Sequence, residues 1–450
     1  MGLSKVGDLG TKIAFCSLGC SKNLVDTEVM IGLLRDAGME IVSDVHRADV
    51  VVVNTCSFIA DAAQESVDAI LDYADLRAEG KLRALLVAGC LPQRYGVELM
   101  KEIPEVDGII GTGQFDRCAE AIAEALDGRR PVFLENPGYL PPERAPRVVT
   151  TPAHYAYLKI GEGCVNRCAY CIIPSLRGPV RSRPVEAVVG EAEELARGGM
   201  REAIVIAQDT TMYGADLYGA PSLAKLLREL TGVEGLEWIR IMYAYPSRVD
   251  TELVEVIASA PKIVKYLDLP MQHGSDRLLR AMNRHASRDQ MIQVVEELRK
   301  QIPGIVIRTS LIVGFPGETD DDFDELLDFI RIVKPERAGV FKFSREEGTP
   351  AYDMPDQVPG EVAAMRWKMT MEVLREISRK YGQSRVGSLV RAIVDGPSDE
   401  SELVVEARSF AEAPDVDGKI YIGDATLRPG QFVDVRIDDA SDYDLAGSLV

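Results

Sequence analysis

Three cysteines within eight residues, Cys164, Cys168 and Cys171, constrain this chain more than any other feature of its sequence. They follow the apolar run from Tyr155 to Ile160, which predicts a strand, so the thiols are expected on the loop that leaves it. Cysteine thiolates hold iron–sulfur clusters, and a 4Fe-4S cluster usually takes four of them. A loop with three thiols leaves one iron without a protein ligand, and an open metal position is where substrate chemistry takes place.

Two other interpretations of these cysteines are a structural zinc site and a group of buried free thiols. Structural zinc sites usually pair a Cys-x-x-Cys with a second such pair or with histidines. The chain has only four histidines, and His154 and His273 are the plausible local candidates. The spacing also differs from the ferredoxin pattern, in which two residues separate successive cysteines. The pattern therefore favours an iron–sulfur cluster.

Composition limits where the protein acts and what it binds. No run of about eighteen apolar residues predicts a membrane helix, and the polar segment Met1 to Thr11 has no signal-peptide core. We therefore expect a cytoplasmic protein whose eight cysteines are reduced and serve metal binding or catalysis. A net charge of −20 makes nucleic acid an improbable main substrate and suits a basic partner.

Residues 1–128 alternate short apolar runs with helical stretches, which predicts a parallel sheet covered by helices. Cys20, Cys56 and Cys90 each follow one of the predicted strands, at separations of 36 and 34 residues. Because ligands collect at the carboxyl ends of parallel strands, the three thiols are expected to share a metal site. The alternative is three unrelated buried cysteines. Cys118 is expected to be a buried apolar residue and Cys16 to be structural, although Cys16 stays open as a ligand.

The rest of the chain divides into three further parts. Residues 129–153 are rich in proline and predict a stiff linker. Residues 154–381 repeat the strand–helix rhythm about six times, which predicts a partial (β/α)6 barrel with its active site at the strand carboxyl ends. Residues 383–450 contain short β-branched runs and predict a small antiparallel β-barrel. This last part holds six Lys and Arg against fourteen Asp and Glu, a net charge of −8, which argues against phosphate contacts.

With Tyr170 before its third cysteine, the octet from Cys164 to Cys171 resembles the cluster loop of the radical S-adenosylmethionine superfamily. The resemblance implies that the open iron chelates the amino and carboxylate groups of S-adenosylmethionine, with Tyr170 near the adenine. Strand-end positions in that superfamily contact the methionine moiety and the ribose, so Gln208 and Arg308 are the candidate cofactor contacts.

Nearly the whole chain resembles the methylthiotransferase family, which joins a three-cysteine domain, a radical S-adenosylmethionine barrel and a TRAM-like barrel. The stretches Ser17 to Glu28, Asn54 to Ile59 and Gln64 to Ser66 resemble the branch that modifies an aspartate of ribosomal protein S-twelve. The family commonly has proline where this chain has Ser21. The resemblance implies two 4Fe-4S clusters, one on Cys20, Cys56 and Cys90 and the other on Cys164, Cys168 and Cys171.

The implied reaction uses S-adenosylmethionine twice. One molecule methylates a sulfur on the auxiliary cluster, and a second is reductively cleaved to a 5′-deoxyadenosyl radical that takes hydrogen from the aspartate β-carbon. That carbon has no useful acidity, so the cofactor supplies the chemistry, the protein supplies placement, and a low-potential electron donor is needed. Two rival functions are a tRNA adenosine methylthiotransferase and an iron–sulfur electron carrier or sensor.

Overall fold

A computed structural model describes residues 10–140 and 145–450 of the chain. Most of the polar amino-terminal segment, and Pro141 and Pro142 of the predicted linker, lie outside the described residues. Among the helices described, none is both long and apolar enough to cross a membrane.

The first domain is a six-stranded parallel sheet with helices on both faces. The strands lie in the order β2-β1-β3-β4-β5-β6, which places the first, second and third long strands side by side. The strands are β1 (Lys12–Ser17), β2 (Glu40–Ile41), β3 (Val50–Thr55), β4 (Ala84–Gly89), β5 (Gly108–Ile110) and β6 (Val132–Phe133). The helices are α1 (Ser21–Asp36), α2 (Ala60–Ala78), α3 (Cys90–Tyr95), α4 (Val97–Glu102) and α5 (Cys118–Leu126).

The central strands of this sheet are continuous apolar runs because both of their faces are covered. Every residue of β3 and β4 is buried, as expected for a parallel sheet between two helical layers. One apolar core lies under α1 and α5, and the other lies under α2 and α4. Strand β6 lies in the range predicted as linker, where it pairs with β5 at the sheet edge.

The second domain is an open parallel sheet in the order β14-β13-β12-β11-β10-β7, and its inner face carries apolar and aromatic side chains together with charged ones. Its strands, with a small antiparallel pair β8 and β9, are β7 (Tyr155–Lys159), β8 (Gly161–Glu162), β9 (Arg181–Ser182), β10 (Glu202–Ile206), β11 (Trp238–Ile241), β12 (Ile263–Asp268), β13 (Val306–Val313) and β14 (Arg337–Lys342). Its helices are α6 (Ile173–Arg177), α7 (Val185–Arg197), α8 (Ala215–Tyr218), α9 (Leu223–Thr231), α10 (Thr251–Ser259), α11 (Asp276–Ala281), α12 (Arg288–Gln301), α13 (Asp320–Val333) and α14 (Gly360–Arg385).

Side chains alternate between the two faces of these strands, so residue parity decides what faces the helices. In β13, Ile307, Leu311 and Val313 pack in the main core beneath the helices, whereas Val306 lies in a separate cluster on the inner face. Arg308 has the same parity as Val306 and therefore also lies on the inner face. The inner face of the sheet therefore presents polar side chains such as Arg308 beside apolar ones such as Val306.

The carboxyl-terminal domain is a closed five-stranded barrel in the order β15-β16-β17-β19-β18. Its strands are β15 (Leu389–Ser398), β16 (Ser401–Arg408), β17 (Ile420–Ile422), β18 (Phe432–Ala440) and β19 (Leu445–Leu449). The β-branched runs at residues 389–394, 402–407, 419–422 and 432–437 predict four strands, which fall on β15 to β18, whereas β19 was not predicted. With two parallel α/β sheets and this small barrel, the structure confirms the predicted fold class.

Helix α1 has an unusual face that is explained by how the domains meet. Its buried residues include Lys22, Asn23, Asp26 and Glu28, which would be solvent-exposed on an isolated sheet-covering helix. Their partners come largely from outside the first domain: Lys159 and Arg177 bind Asp26, and Arg147 binds Glu28. Helix α1 is therefore one of the elements through which the first domain binds the barrel.

Candidate active site

Cys20, Cys56 and Cys90 lie together at the carboxyl edge of the first sheet. Cys20 precedes α1, Cys56 follows β3 directly, and Cys90 begins α3 after β4. Strands β1, β3 and β4 are neighbours, so their carboxyl ends bring three distant positions to one edge. The three thiols are close enough for Cys90 and Cys20 to repel a negative charge on Cys56.

Two asparagines and a glycine hold these loops in place. The Asn23 amide donates hydrogen bonds of 2.9 Å to the carbonyls of both Leu18 and Thr55, which joins the Cys20 and Cys56 loops. The Asn54 amide donates in turn to the Asn23 carbonyl at 2.9 Å. Gly19 has φ of +87°, and a Cβ there would lie 2.5 Å from the Cys56 Cβ, so only glycine allows the loops to approach this closely.

Cys164, Cys168 and Cys171 lie on the loop that follows β8, at the carboxyl side of the barrel. The loop is anchored at Ala169, through both its amide and its carbonyl. The Ala169 amide donates to the Met282 carbonyl after α11, and the Ala351 amide donates to the Ala169 carbonyl, both at 2.9 Å. The prediction that these cysteines follow the first barrel strand is confirmed, except that the short strand β8 lies between β7 and the cysteine loop.

Both groups of cysteines lie near one boundary between the two domains. Cys90 is buried in one small apolar cluster with Ile172 and Leu176, which lie immediately after Cys171. The Thr112 hydroxyl of the first domain also donates to the Leu176 carbonyl. The segment that follows the second cysteine group thus packs directly on a cysteine of the first.

Arg177, the last residue of α6, places a positive charge from the barrel beside the first cysteine group. Its guanidinium donates to Asp26 at 2.8 Å, to Glu162 at 2.9 Å and to the Cys90 Sγ at 3.6 Å. Burial opposes its charge, but Glu162, Cys90 and Asp26 outweigh that effect and raise the pKa of Arg177. A permanent positive charge therefore lies beside a candidate cluster ligand.

Burial dominates the electrostatics of the thiols themselves. Burial, with smaller contributions from the neighbouring Cys90 and Cys20, raises the pKa of Cys56 to about 12. Burial likewise raises the pKa of Cys171 to about 12, with Cys168 and Cys164 adding to the effect. Metal binding requires thiolates, so cations would have to offset this cost.

Both groups have the chemistry of iron–sulfur ligands. Each supplies three sulfurs, and each has a guanidinium directed at one of them: Arg177 at Cys90 and Arg284 at Cys168, the latter at 3.8 Å. Within the described ranges no three His, Cys, Asp or Glu side chains lie close enough together to bind a single metal ion. That result is compatible with a cluster, in which each cysteine bonds a different iron.

The three predicted cofactor contacts, Tyr170, Gln208 and Arg308, lie in surroundings that differ from one another. Tyr170 is partly buried and packs with Leu278, Met282 and Phe315 beside the cluster loop. The Gln208 amide donates to Glu162, a partner of Arg177. Arg308 is paired with Asp268 at 2.9 Å and with Asp417 of the last domain at 3.7 Å.

Several other polar residues differ from what their sequence context suggests. His154, a candidate zinc ligand, is hydrogen-bonded at 2.8 Å to Asp395 of the carboxyl-terminal barrel. Arg177 and Arg183, which follow the cluster loop, are buried in ion pairs with Glu162 and Glu191. Sequence reasoning missed Asp26, Lys159 and Glu162. Their only signal is charge inside an otherwise apolar pattern, which indicates a buried partner without identifying it.

Comparison with known proteins agrees with each part of this architecture. Residues 12–111 match "Uncharacterized protein family UPF0004", residues 158–330 match the radical SAM superfamily, and residues 386–450 match the TRAM domain. Among solved structures, the radical S-adenosylmethionine methyltransferase TsrM from Kitasatospora setae superposes with a TM-score of 0.58 at 15% identity, covering 76% of this chain and 74% of that one. The fold and the cysteine loop thus define a radical S-adenosylmethionine enzyme.

Two curated relatives are similar over almost their whole length. Ribosomal protein uS12 methylthiotransferase RimO of Trichlorobacter lovleyi is 50% identical over 440 residues, 98% of each chain. The protein of the same name from Pelotomaculum thermopropionicum is 49% identical over 443 residues, 98% of this chain and 100% of its own. This chain belongs to the ribosomal protein uS12 methylthiotransferase family.

Proposed function

We propose that this protein adds a methylthio group to the β-carbon of an aspartate in ribosomal protein uS12, using radical S-adenosylmethionine chemistry. The observation that carries the proposal is the packing of Cys90 against Ile172 and Leu176, which brings two cysteine groups of different domains to one boundary. A reaction that both transfers sulfur and cleaves S-adenosylmethionine needs two such sites close together.

In this proposal Cys164, Cys168 and Cys171 hold one 4Fe-4S cluster, and Cys20, Cys56 and Cys90 hold a second. The clusters supply the electron for cofactor cleavage and the site from which sulfur is transferred. The chain's own residues supply geometry: Asn23 and Asn54 fix the first loop pair, and the contacts of Ala169 fix the second loop. Tyr170, Gln208 and Arg308 are the proposed contacts of S-adenosylmethionine.

The acidic carboxyl-terminal barrel supports a protein substrate over tRNA. Asp434, Asp438 and Asp439 are exposed on β18, and the whole region has six basic against fourteen acidic residues. Such a surface repels phosphates and attracts the basic surface typical of a ribosomal protein. We propose that the enzyme acts in the cytoplasm and receives electrons from a low-potential donor.

The test is product formation by the reconstituted enzyme. Purified protein with iron and sulfide restored is incubated with S-adenosylmethionine, dithionite and recombinant uS12, and the uS12 peptides are analysed by mass spectrometry. We expect one aspartate to gain a methylthio group in place of a hydrogen, together with 5′-deoxyadenosine. The matched control, uS12 with that aspartate changed to asparagine, should gain nothing.

Two outcomes would contradict the proposal. Methylthiolation of tRNA but not of uS12 in parallel reactions would favour the tRNA enzyme. Reversible reduction of the protein with no 5′-deoxyadenosine under any of these conditions would favour an electron carrier.

A further inference from the structure

Lys22 is a buried cation without a carboxylate partner among the described residues. It is the second residue of α1, two positions after Cys20, and only 7% of its surface is exposed. Its Nζ atom makes a cation–π contact with the ring of Tyr243, whose centroid lies 3.0 Å away. Burial of an ammonium without a carboxylate is unfavourable and is here offset by the cation–π contact, which leaves its N–H donors to be used by an anion.

The buried acidic residues that share helix α1 with Lys22 are already engaged with other cations. Asp26, one turn further along α1, is bound by both Lys159 and Arg177. Glu28 is bound by Arg147. Neither Asp26 nor Glu28 therefore depends on Lys22 for a positive charge.

Tyr243, under this ammonium, has a strained backbone that the structure holds in place. Its φ of +58° is rare for a bulky residue. Its amide donates to Asp268 at 3.0 Å, and its carbonyl accepts from the Thr210 amide at 3.1 Å. Strain of this kind concentrates at functional sites, where neighbouring contacts impose it.

Tyr243 also lines a cavity of about 310 Å³ between the Cys20 loop and the inner face of the barrel. Cys20, Ser21 and Tyr157 line the same cavity. Asp415 on its far wall accepts hydrogen bonds from the Tyr157 hydroxyl at 2.9 Å and the Tyr155 hydroxyl at 3.4 Å. Lys22 adjoins this cavity through the Tyr243 ring, which lines it and lies against the ammonium. An incoming carboxylate would be repelled from Asp415 and attracted towards the Lys22 side of the cavity.

We propose that Lys22 binds the side-chain carboxylate of the aspartate that is modified, and so determines that the enzyme accepts aspartate. This proposal rests on the proposed function. The reacting β-carbon is bonded directly to that carboxylate, so anchoring the carboxylate beside Cys20 places the β-carbon next to the auxiliary cysteine group. A charged hydrogen bond also separates aspartate from its neutral isostere asparagine.

The test compares the affinities of two substrate proteins for two enzymes. Recombinant uS12 and its variant with asparagine at the modified position are titrated against the reconstituted parent and against Lys22→Met, in the presence of S-adenosylmethionine. We expect the parent to bind the aspartate form roughly ten- to a hundredfold more tightly, as one charged hydrogen bond provides. In Lys22→Met this ratio should fall to about one through loss of aspartate affinity, while asparagine affinity stays unchanged.

Controls separate recognition from folding and from an effect on the cluster. Lys22→Arg should retain the preference, and Lys101→Met, which alters an exposed lysine on α4, should change nothing. Lys22→Gln serves as a second neutral variant, and iron content and the electron paramagnetic resonance spectrum are recorded for all. Equal weakening towards both substrates, or a changed spectrum with the aspartate preference intact, would overturn the assignment of Lys22. Absence of methylthiolated uS12 from the parent would instead reject the proposed function on which it rests.

Discussion

Arg177 illustrates how a single residue stabilises the boundary between domains. It is 1% exposed and donates to Asp26 of the first domain, to Glu162 of the barrel and, at 2.7 Å, to the Asn23 side chain. Lys159 shares both carboxylates. Two buried cations thus balance two buried anions, and removing one partner leaves an uncompensated charge.

Replacement of Arg177 by Met should therefore destabilise the protein strongly. We expect a loss of about 3–5 kcal/mol in the free energy of unfolding, because Asp26 and Glu162 would keep only Lys159. Urea denaturation of the metal-free protein measures it. Arg228→Met is the matched control, since its pair with Glu252 is exposed and is expected to contribute at most about 1 kcal/mol. Similar losses in the two variants would show that burial does not determine the cost.

The segment between β16 and β17 is the element that attaches the carboxyl-terminal barrel. Its Ala411 and Ala413 are buried in the apolar cluster on the inner face of the second sheet. Glu412 between them is completely buried and accepts from Arg337 of β14 at 2.7 Å and from Arg385 of α14. The segment closes one end of the open barrel, and its charges are satisfied there.

Glu412 should make this attachment dependent on pH. Burial alone would raise its pKa, but Arg385 and Arg337 outweigh burial and lower the pKa to about 2. Because the folded pKa lies below the unfolded value of about 4.3, the stabilisation is present above that pH and disappears as the pH falls towards 2.

Glu412→Gln should accordingly lose about 3 kcal/mol of unfolding free energy at pH 7, because two buried guanidiniums lose their anion. The difference from the parent should shrink as the pH drops below about 4. Denaturation at several pH values measures both effects. The exposed Glu402 of β16 provides the control variant Glu402→Gln, for which we expect less than about 1 kcal/mol at any pH. A difference that stays constant down to pH 3 would contradict the assignment to Glu412.

At the scale of the whole molecule, the cysteine groups belong to separate domains and should bind iron independently. Replacing Cys164, Cys168 and Cys171 by Ala should leave about half the iron and abolish 5′-deoxyadenosine formation. Iron assay and chromatography measure these results. Cys16→Ala and Cys118→Ala are the controls, because Cys16 packs with the core under α2 and Cys118 is fully buried in the other core. Loss of all iron from a folded triple variant would contradict two sites.

The acidic carboxyl-terminal barrel should bind uS12 through its overall charge. Changing Asp434, Asp438, Asp439 and Asp442 together to Asn should weaken binding, although each exposed pair contributes only about 0–1 kcal/mol. The parent's affinity should also fall with salt, since the screening length shortens to about 10 Å at 0.1 M. Interferometry over a salt series measures both, and cofactor cleavage without substrate should not change. Salt-independent binding, or tighter binding of tRNA, would contradict the prediction.

The sequence by itself determined the order of elements and the positions of the cysteines. The pattern of apolar and polar side chains along a strand indicates which of its faces are buried. The fully buried β3 and the alternating β13 (Val306–Val313) could therefore be predicted from the sequence. Strand β19 was missed because its sequence, LAGSL, alternates weakly, and its place in the closed barrel depends on its pairing with β17 and β18.

Only the tertiary structure decided which charges meet. Nothing local in the sequence links Arg177 to Asp26, Glu412 to Arg337 or Lys22 to Tyr243, because each pair is brought together by the docking of separate domains. The sequence shows that a residue is charged but does not show which residue it pairs with. The attraction within an ion pair becomes strong only when docking of the domains removes water from around both charges.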